Sequence, residues 1–141
     1  MNDFFARFKS LAVLGLSRKP KSFSRQAYDF LQSQGYELYP VNPHAKAIAG
    51  QACYDSVEAL PEVEAAVFFT PPGVSMALLP LCKEKGIVYV WFQQGSADKA
   101  VLKVADELGI TYTKSCVFLH QPGAGFPHNV HRILAGVFGK L

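Results

Sequence analysis

The sequence predicts an α/β domain built on a doubly wound sheet of about five parallel strands, and three observations predict it. Short continuous apolar runs recur along the 141 residues, as strands covered on both faces require. Stretches with apolar residues at helical spacing separate successive runs. Glycine or proline interrupts the chain at most run ends. Half of the residues are hydrophobic and 18% are charged, a globular composition with enough length for one core.

The elements follow in order. Phe4, Phe5 and Phe8 suggest a docking helical turn within residues 1–10. Residues 11–15 (Leu-Ala-Val-Leu-Gly) form the first apolar run. Phe23, Ala27, Phe30 and Leu31 lie on one helical face, and Gly35 suits the position just past the helix end. Residues 38–41 read as a second strand stopped by Asn42-Pro43, after which a longer connection carries Gly50 and Pro61. Residues 65–69 form a third strand ending at Thr70-Pro71-Pro72-Gly73. Val74, Ala77, Leu78, Leu81 and Cys82 make the next helical stripe, within which Pro80 predicts a kink or break. A fourth strand covers residues 87–92, and Ser96 offers an N-cap for a helix carrying Val101, Val104, Ala105 and Leu108 up to Gly109. Residues 110–113 form a fifth strand. An extension over residues 122–141 holds an amphipathic helix with Val130, Ile133, Leu134, Val137 and Phe138.

Strands alternating with helices give a Rossmann-like single domain with helices on both faces, whose ligands bind beyond the carboxyl ends of the strands. The loops to inspect therefore begin at Gly15, Asn42, Thr70, Gln93 and Ser115. The longest apolar runs are far too short for a membrane span, and the apolar stretch at residues 11–16 is too short for a secretory signal. Cys53, Cys82 and Cys116 are odd in number and widely spaced, which argues against a disulfide framework and for the cytoplasm. The formal charge of +3 is mild, and no basic stripe interleaves with aromatics, so nucleic acid is not an expected partner.

The first loop concentrates Arg18, Lys19, Lys21 and Arg25 beside a helix N-terminus, with Ser17, Ser22 and Ser24 as hydroxyl donors. Such a helix start favours an anion, so a phosphate or pyrophosphate is the natural guest. The plainer alternative is that Ser22 or Ser24 only caps the helix and the cations face solvent. A dinucleotide fingerprint would need glycine at positions 17 and 20, where Ser17 and Pro20 stand, and an acid after the second strand, where Asn42 stands. Pro71 and Pro72 offer a rigid apolar wall, or simply end a strand. Gln93, Gln94 and Gly95 combine carboxamides with a residue that permits close backbone approach.

Gly15-Leu16-Ser17 with its basic loop, then Tyr39-Pro40-Val41-Asn42-Pro43, Gly50 and Tyr54, resemble the stand-alone CoA-binding domain family. That family is similar to the CoA-binding N-terminal domain of the succinyl-CoA synthetase α-subunit. The Val41-Asn42-Pro43 signature is the most specific part, and the resemblance runs from about Leu11 to Cys116. It implies that Gly15, Ser17, Arg18, Ser24 and Arg25 hold the phosphates of CoA. Asn42 and Pro43 would face the adenosine, with Lys46 available for a phosphate. Thr70, Pro71 and Pro72 would wall the adenine, and Gln93, Gln94 and Gly95 would close the far side. The chain departs from the family at Cys116-Val117-Phe118, where members often carry Cys-Glu-His. The synthetase's second domain has no counterpart in this length, so its reaction is not implied.

Cys116, His120, His128 and His131 are residue types that zinc accepts, but HxxH on a helix is more often a solvated face. Tyr36, Tyr39, Tyr54, Tyr89 and Trp91 read as core residues in or beside strands, and Cys53 and Cys82 as small core residues. The expectation is a non-catalytic protein that binds CoA or acyl-CoA as a small-molecule ligand, with a homodimer possible through the C-terminal helix. The alternatives are a small CoA- or nucleotide-dependent enzyme using Cys116 or His120, or a docking subunit of a larger acyl-CoA ligase.

Overall fold

A computed structural model describes residues 4–17, 19, 21–48 and 50–115 of the chain. Its central sheet holds strands β1 (Ser10–Leu14), β2 (Glu37–Val41), β5 (Ala65–Phe68), β6 (Tyr89–Phe92) and β7 (Thr111–Lys114). All neighbours pair in parallel, in the order β2-β1-β5-β6-β7. The order reverses between β1 and β5, which makes their carboxyl ends the topological switch point. The expected doubly wound α/β, Rossmann-like sheet is therefore present.

Strand periodicity divides the core into two halves. Leu11, Val13, Ala65, Val67 and Trp91 face one side, and Ala12, Leu14, Ala66, Phe68, Val90 and Phe92 the other. On the first side lie α1 (Phe4–Arg7) and α2 (Phe23–Ser33). The α1 rings reach the sheet directly, with Phe5 4.6 Å and Phe4 5.6 Å from Trp91 between ring centroids. Helix α2 contributes Ala27, Tyr28 and Leu31, one stripe of an amphipathic helix. Ser22 caps it by accepting the Arg25 amide, and Gly35 leaves it at φ +92.

The second side is covered by α3 (Pro72–Lys85) and α4 (Lys99–Glu107), which bury Leu79, Cys82, Val101 and Ala105. Helix α3 runs unbroken through Pro80, where the sequence predicts a kink or break. Pro80 lies on the exposed side of the helix, so its ring does not enter the core. The N-cap of α4 is Asp98, whose carboxylate accepts the Val101 amide, and not Ser96. Ser96 instead donates its hydroxyl proton to the Gln93 carbonyl at 2.6 Å.

The long connection after β2 contains a hairpin that the sequence did not reveal, β3 (Ala47–Ile48) with β4 (Gln51–Ala52). Its strands are too short to show a period-two pattern. Gly50, at φ +76, serves its turn. Gln51 ties the hairpin down by accepting from Tyr28 at 3.0 Å and donating to the Leu38 carbonyl at 2.8 Å. Burial pushes the Tyr28 phenol up, so it stays a donor to Gln51. The candidate ligands Cys116, His120, His128 and His131 lie outside the described residues, as does the segment expected to form a C-terminal helix. Among the described residues no helix is long and apolar enough to cross a membrane, and no cluster of ligating side chains could hold a metal.

Cys82 is fully buried in the second half-core, and burial pushes its thiol up to about 12. Its neutral form supports the fold below the ordinary thiol range, and that contribution disappears as pH rises toward 12. Iodoacetamide should therefore leave Cys82 unmodified in the folded protein at pH 8 and label it fully in denaturant, as peptide mass mapping would show.

Candidate functional site

Two clefts meet at the switch point. Both are lined by Gly15, Ser17 and Thr70, the residues just past β1 and β5. Gly15 holds φ +87, and a Cβ there would lie 2.7 Å from Thr70 Cγ2 and 2.9 Å from the Thr70 amide nitrogen. Only glycine lets the two strand ends approach so closely. Opposite, Thr70 Oγ1 lies 2.7 Å from Ser75 Oγ, and the Ser75 amide donates to the Pro71 carbonyl. This buried hydroxyl pair fixes the Thr70-Pro71-Pro72 corner onto the first turn of α3.

The first cleft, of about 480 Å³, opens on the α2 side of the sheet. Ser22, Phe23 and Ser24 from the start of α2 form one wall. Phe69, Pro71 and Pro72 form the second, and Gln93, Gln94, Gly95 and Ser96 the third. The hydroxyls are not equivalent. Ser22 is used up by its cap, since it accepts the Arg25 amide and donates to the Lys19 carbonyl. Ser17 accepts the Lys19 amide, and Ser24 accepts the Ser17 amide at 2.9 Å. Both therefore keep a proton to donate beside Gly15. The capping alternative is correct for Ser22, while Ser24 serves to pin the loop. Lys19 and Lys21 are exposed and Arg25 is half-buried at the third residue of α2. Positive charge thus surrounds a helix start that already favours anions. Arg18 lies outside the described residues.

The second cleft, of about 440 Å³, opens on the α3 side. Its floor is apolar, with Leu14, Val41 and Val57 facing Val74, Leu78 and Leu81. Val74 is 47% exposed at its mouth. Asn42 and Pro43 stand at the rim, together with His44, Asp55 and Ser56, which the sequence reading missed. The signal for Asp55 lies in tertiary structure: Tyr54 bridges to Val41, and the Asn42 amide donates to the Tyr54 carbonyl, so this segment lies beside the end of β2. The Asn42 side chain braces two loops. Its Nδ2 donates to the Leu16 carbonyl at 2.9 Å, and its Oδ1 accepts the His44 amide at 2.7 Å.

Lys46 lines neither cleft. It borders a third, of about 490 Å³, with Cys53 and Tyr54, joined to the second through Pro43, His44 and Asp55. Burial pushes the Cys53 thiol up, against a backbone hydrogen bond at Asn42 that lowers it.

The chain is similar to known proteins in sequence and in fold. A family model described as a CoA binding domain matches residues 9–122. The α-subunit of ADP-forming acetate–CoA ligase II from Pyrococcus furiosus is 34% identical over 89 residues, which cover 62% of this chain and 20% of the subunit. The chain thus corresponds to about a fifth of that ligase subunit. The uncharacterized protein YneT from Bacillus subtilis is 28% identical over 119 residues, covering 79% of this chain and 83% of YneT. Among solved structures, a conserved hypothetical protein from Pyrococcus furiosus superposes with a TM-score of 0.76 at 31% identity, over 81% of this chain and all of that one.

Two substitutions probe the junction. Gly15→Ala should destabilise the protein by about 2 kcal/mol or more, from positive φ and the Thr70 clash together, as read by urea unfolding. Asn42→Ala removes two loop-bracing hydrogen bonds and should cost about 1–3 kcal/mol in the same assay.

Proposed function

The chain belongs to the CoA binding domain family, and from that premise we propose that it binds coenzyme A or an acyl-CoA across the switch point, without catalysing a reaction itself. The observation that carries this reading is the pair of clefts meeting at Gly15, Ser17 and Thr70, one beside a basic helix start and one apolar. The pyrophosphate lies over Gly15, where Ser17 and Ser24 still have protons to donate and where Lys19 and Arg25 supply charge. The adenosine turns into the second cleft, over Val41, Asn42 and Pro43 and against Thr70, while Pro71 and Pro72, which the resemblance also gave to the adenine, line the first cleft. Lys46, beyond the His44 rim, meets a phosphate attached to the ribose. The pantetheine then runs through the first cleft toward Gln93, Gln94 and Gly95.

Physical reasons support that direction. An adenine ring buries its faces against apolar walls, and the second cleft supplies them on both sides. A pyrophosphate needs amides, protons and cations, which gather at the start of α2. A cytoplasmic location suits this role, and Cys53 and Cys82 are both free thiols.

Titration calorimetry of the intact protein with CoA tests the reading. Binding is expected, and its affinity should fall as salt rises from 50 to about 300 mM, since exposed cations contribute. Arg25→Ala should weaken binding about tenfold or more and flatten the salt dependence, with melting temperature checked in parallel. No heat of binding with CoA in low salt would overturn the proposal.

A further inference from the structure

The polar side chains at the rim of the second cleft divide into spent and open ones. Asn42 is spent at both ends, on the Leu16 carbonyl and the His44 amide. Thr70 Oγ1 is paired with Ser75. The Ser17 hydroxyl keeps its proton on the Gly15 side, where it suits an anion. On the β2 side the Asp55 carboxylate is exposed, with no hydrogen-bond or ion-pair partner among the described residues, and the Ser56 hydroxyl lies next to it in the chain.

The position of Asp55 is set by β2. Tyr54 pairs in parallel with Val41 on the outer edge of that strand, its amide donating to the Pro40 carbonyl and its carbonyl accepting from the Asn42 amide. Asp55 follows directly, beside the carboxyl end of β2 and two strand spacings, about 10 Å, from the end of β1. Dinucleotide sites of Rossmann type keep an acid near this end of the second strand to accept from ribose hydroxyls. Here Asn42 occupies the chain position and is used as a brace, while a neighbouring segment supplies the carboxylate. A carboxylate only accepts hydrogen bonds, so it suits a hydroxyl and repels a phosphate. Asp55 also lines the third cleft, which holds the cation of Lys46.

We propose that Asp55 is a specificity-determining residue that accepts a hydrogen bond from the free 2′-hydroxyl of the CoA ribose, so that the protein distinguishes CoA from its 2′-deoxy analogue. The inference rests on the CoA reading above, which puts the adenosine in the second cleft and a ribose phosphate at Lys46. It adds the group that reads the other ribose oxygen: the lysine takes the phosphate and the carboxylate takes the hydroxyl.

Titration calorimetry with CoA and 2′-deoxy-CoA, which differ only in that hydroxyl, tests it. The wild-type protein should bind CoA about five- to tenfold more tightly than 2′-deoxy-CoA, as a charge-assisted hydrogen bond at an exposed rim implies. In Asp55→Ala that ratio should fall to about one. Removing a negative charge beside a polyanion acts on both ligands alike and cancels in the ratio. Asp55→Asn, which keeps an acceptor without the charge, should give a ratio below the wild-type value and serves alone should the alanine variant fail to fold. Equal affinities in the wild-type protein, or an unchanged ratio in either variant, overturn the role of Asp55 and leave the CoA reading standing. Absence of binding by both ligands to the wild-type protein overturns the CoA reading and this role with it.

Discussion

At the end of β1 the backbone passes so close to Thr70 that a methyl group on Gly15 would lie 2.7 Å from its Cγ2 and 3.0 Å from the Phe69 carbonyl carbon. The site depends on this contact. It keeps the floor of the junction at backbone level, so that two clefts on opposite faces of one sheet share Gly15, Ser17 and Thr70. A side chain here would fill the passage between them. The doubly wound order creates the opportunity, because the helices after β1 and β5 leave on opposite faces and diverge at this point.

The loops around the junction are braced from within. Ser24 accepts the Ser17 amide, Asn42 joins the first loop to the second, and the Thr70–Ser75 pair holds the third against α3. The first and third of these tie a loop to the helix that follows it, and the second ties one loop to another. Such a network holds the walls in position before any ligand arrives, which lowers the ordering cost of binding. It also decides which hydroxyls remain usable. Residues with the same side chain a few positions apart, Ser17, Ser22 and Ser24, thereby acquire different chemical roles.

The family likeness and the physical reading meet here. The Pyrococcus ligase subunit matches only over part of this chain, and the chain corresponds to a fifth of that subunit. Likeness of this extent concerns a domain and its family. The strand order says which end of the sheet to examine, while the charge, burial and hydrogen bonding of these residues say what each wall can hold.

The sequence by itself determined the sheet and the end of it that matters. Apolar runs buried on both faces need no partner to be recognised, and punctuation such as Asn42-Pro43 and Thr70-Pro71-Pro72 marks strand ends through local backbone restriction. Local chemistry likewise identified the basic helix start and Gly15. Tertiary structure alone decided the rest. It replaced Ser96 with Asp98 as the α4 cap, carried α3 through Pro80, and folded the hairpin at Ala47–Ile48 and Gln51–Ala52. It also set Asp55 beside β2 through the Tyr54 bridge, moved Lys46 to a separate cleft, and turned Phe23 toward Phe69. The physical reason is common to these cases. A cap, a loop brace or a cleft wall depends on which distant group lies within about 3–4 Å, and that distance is set by packing, not by position along the chain.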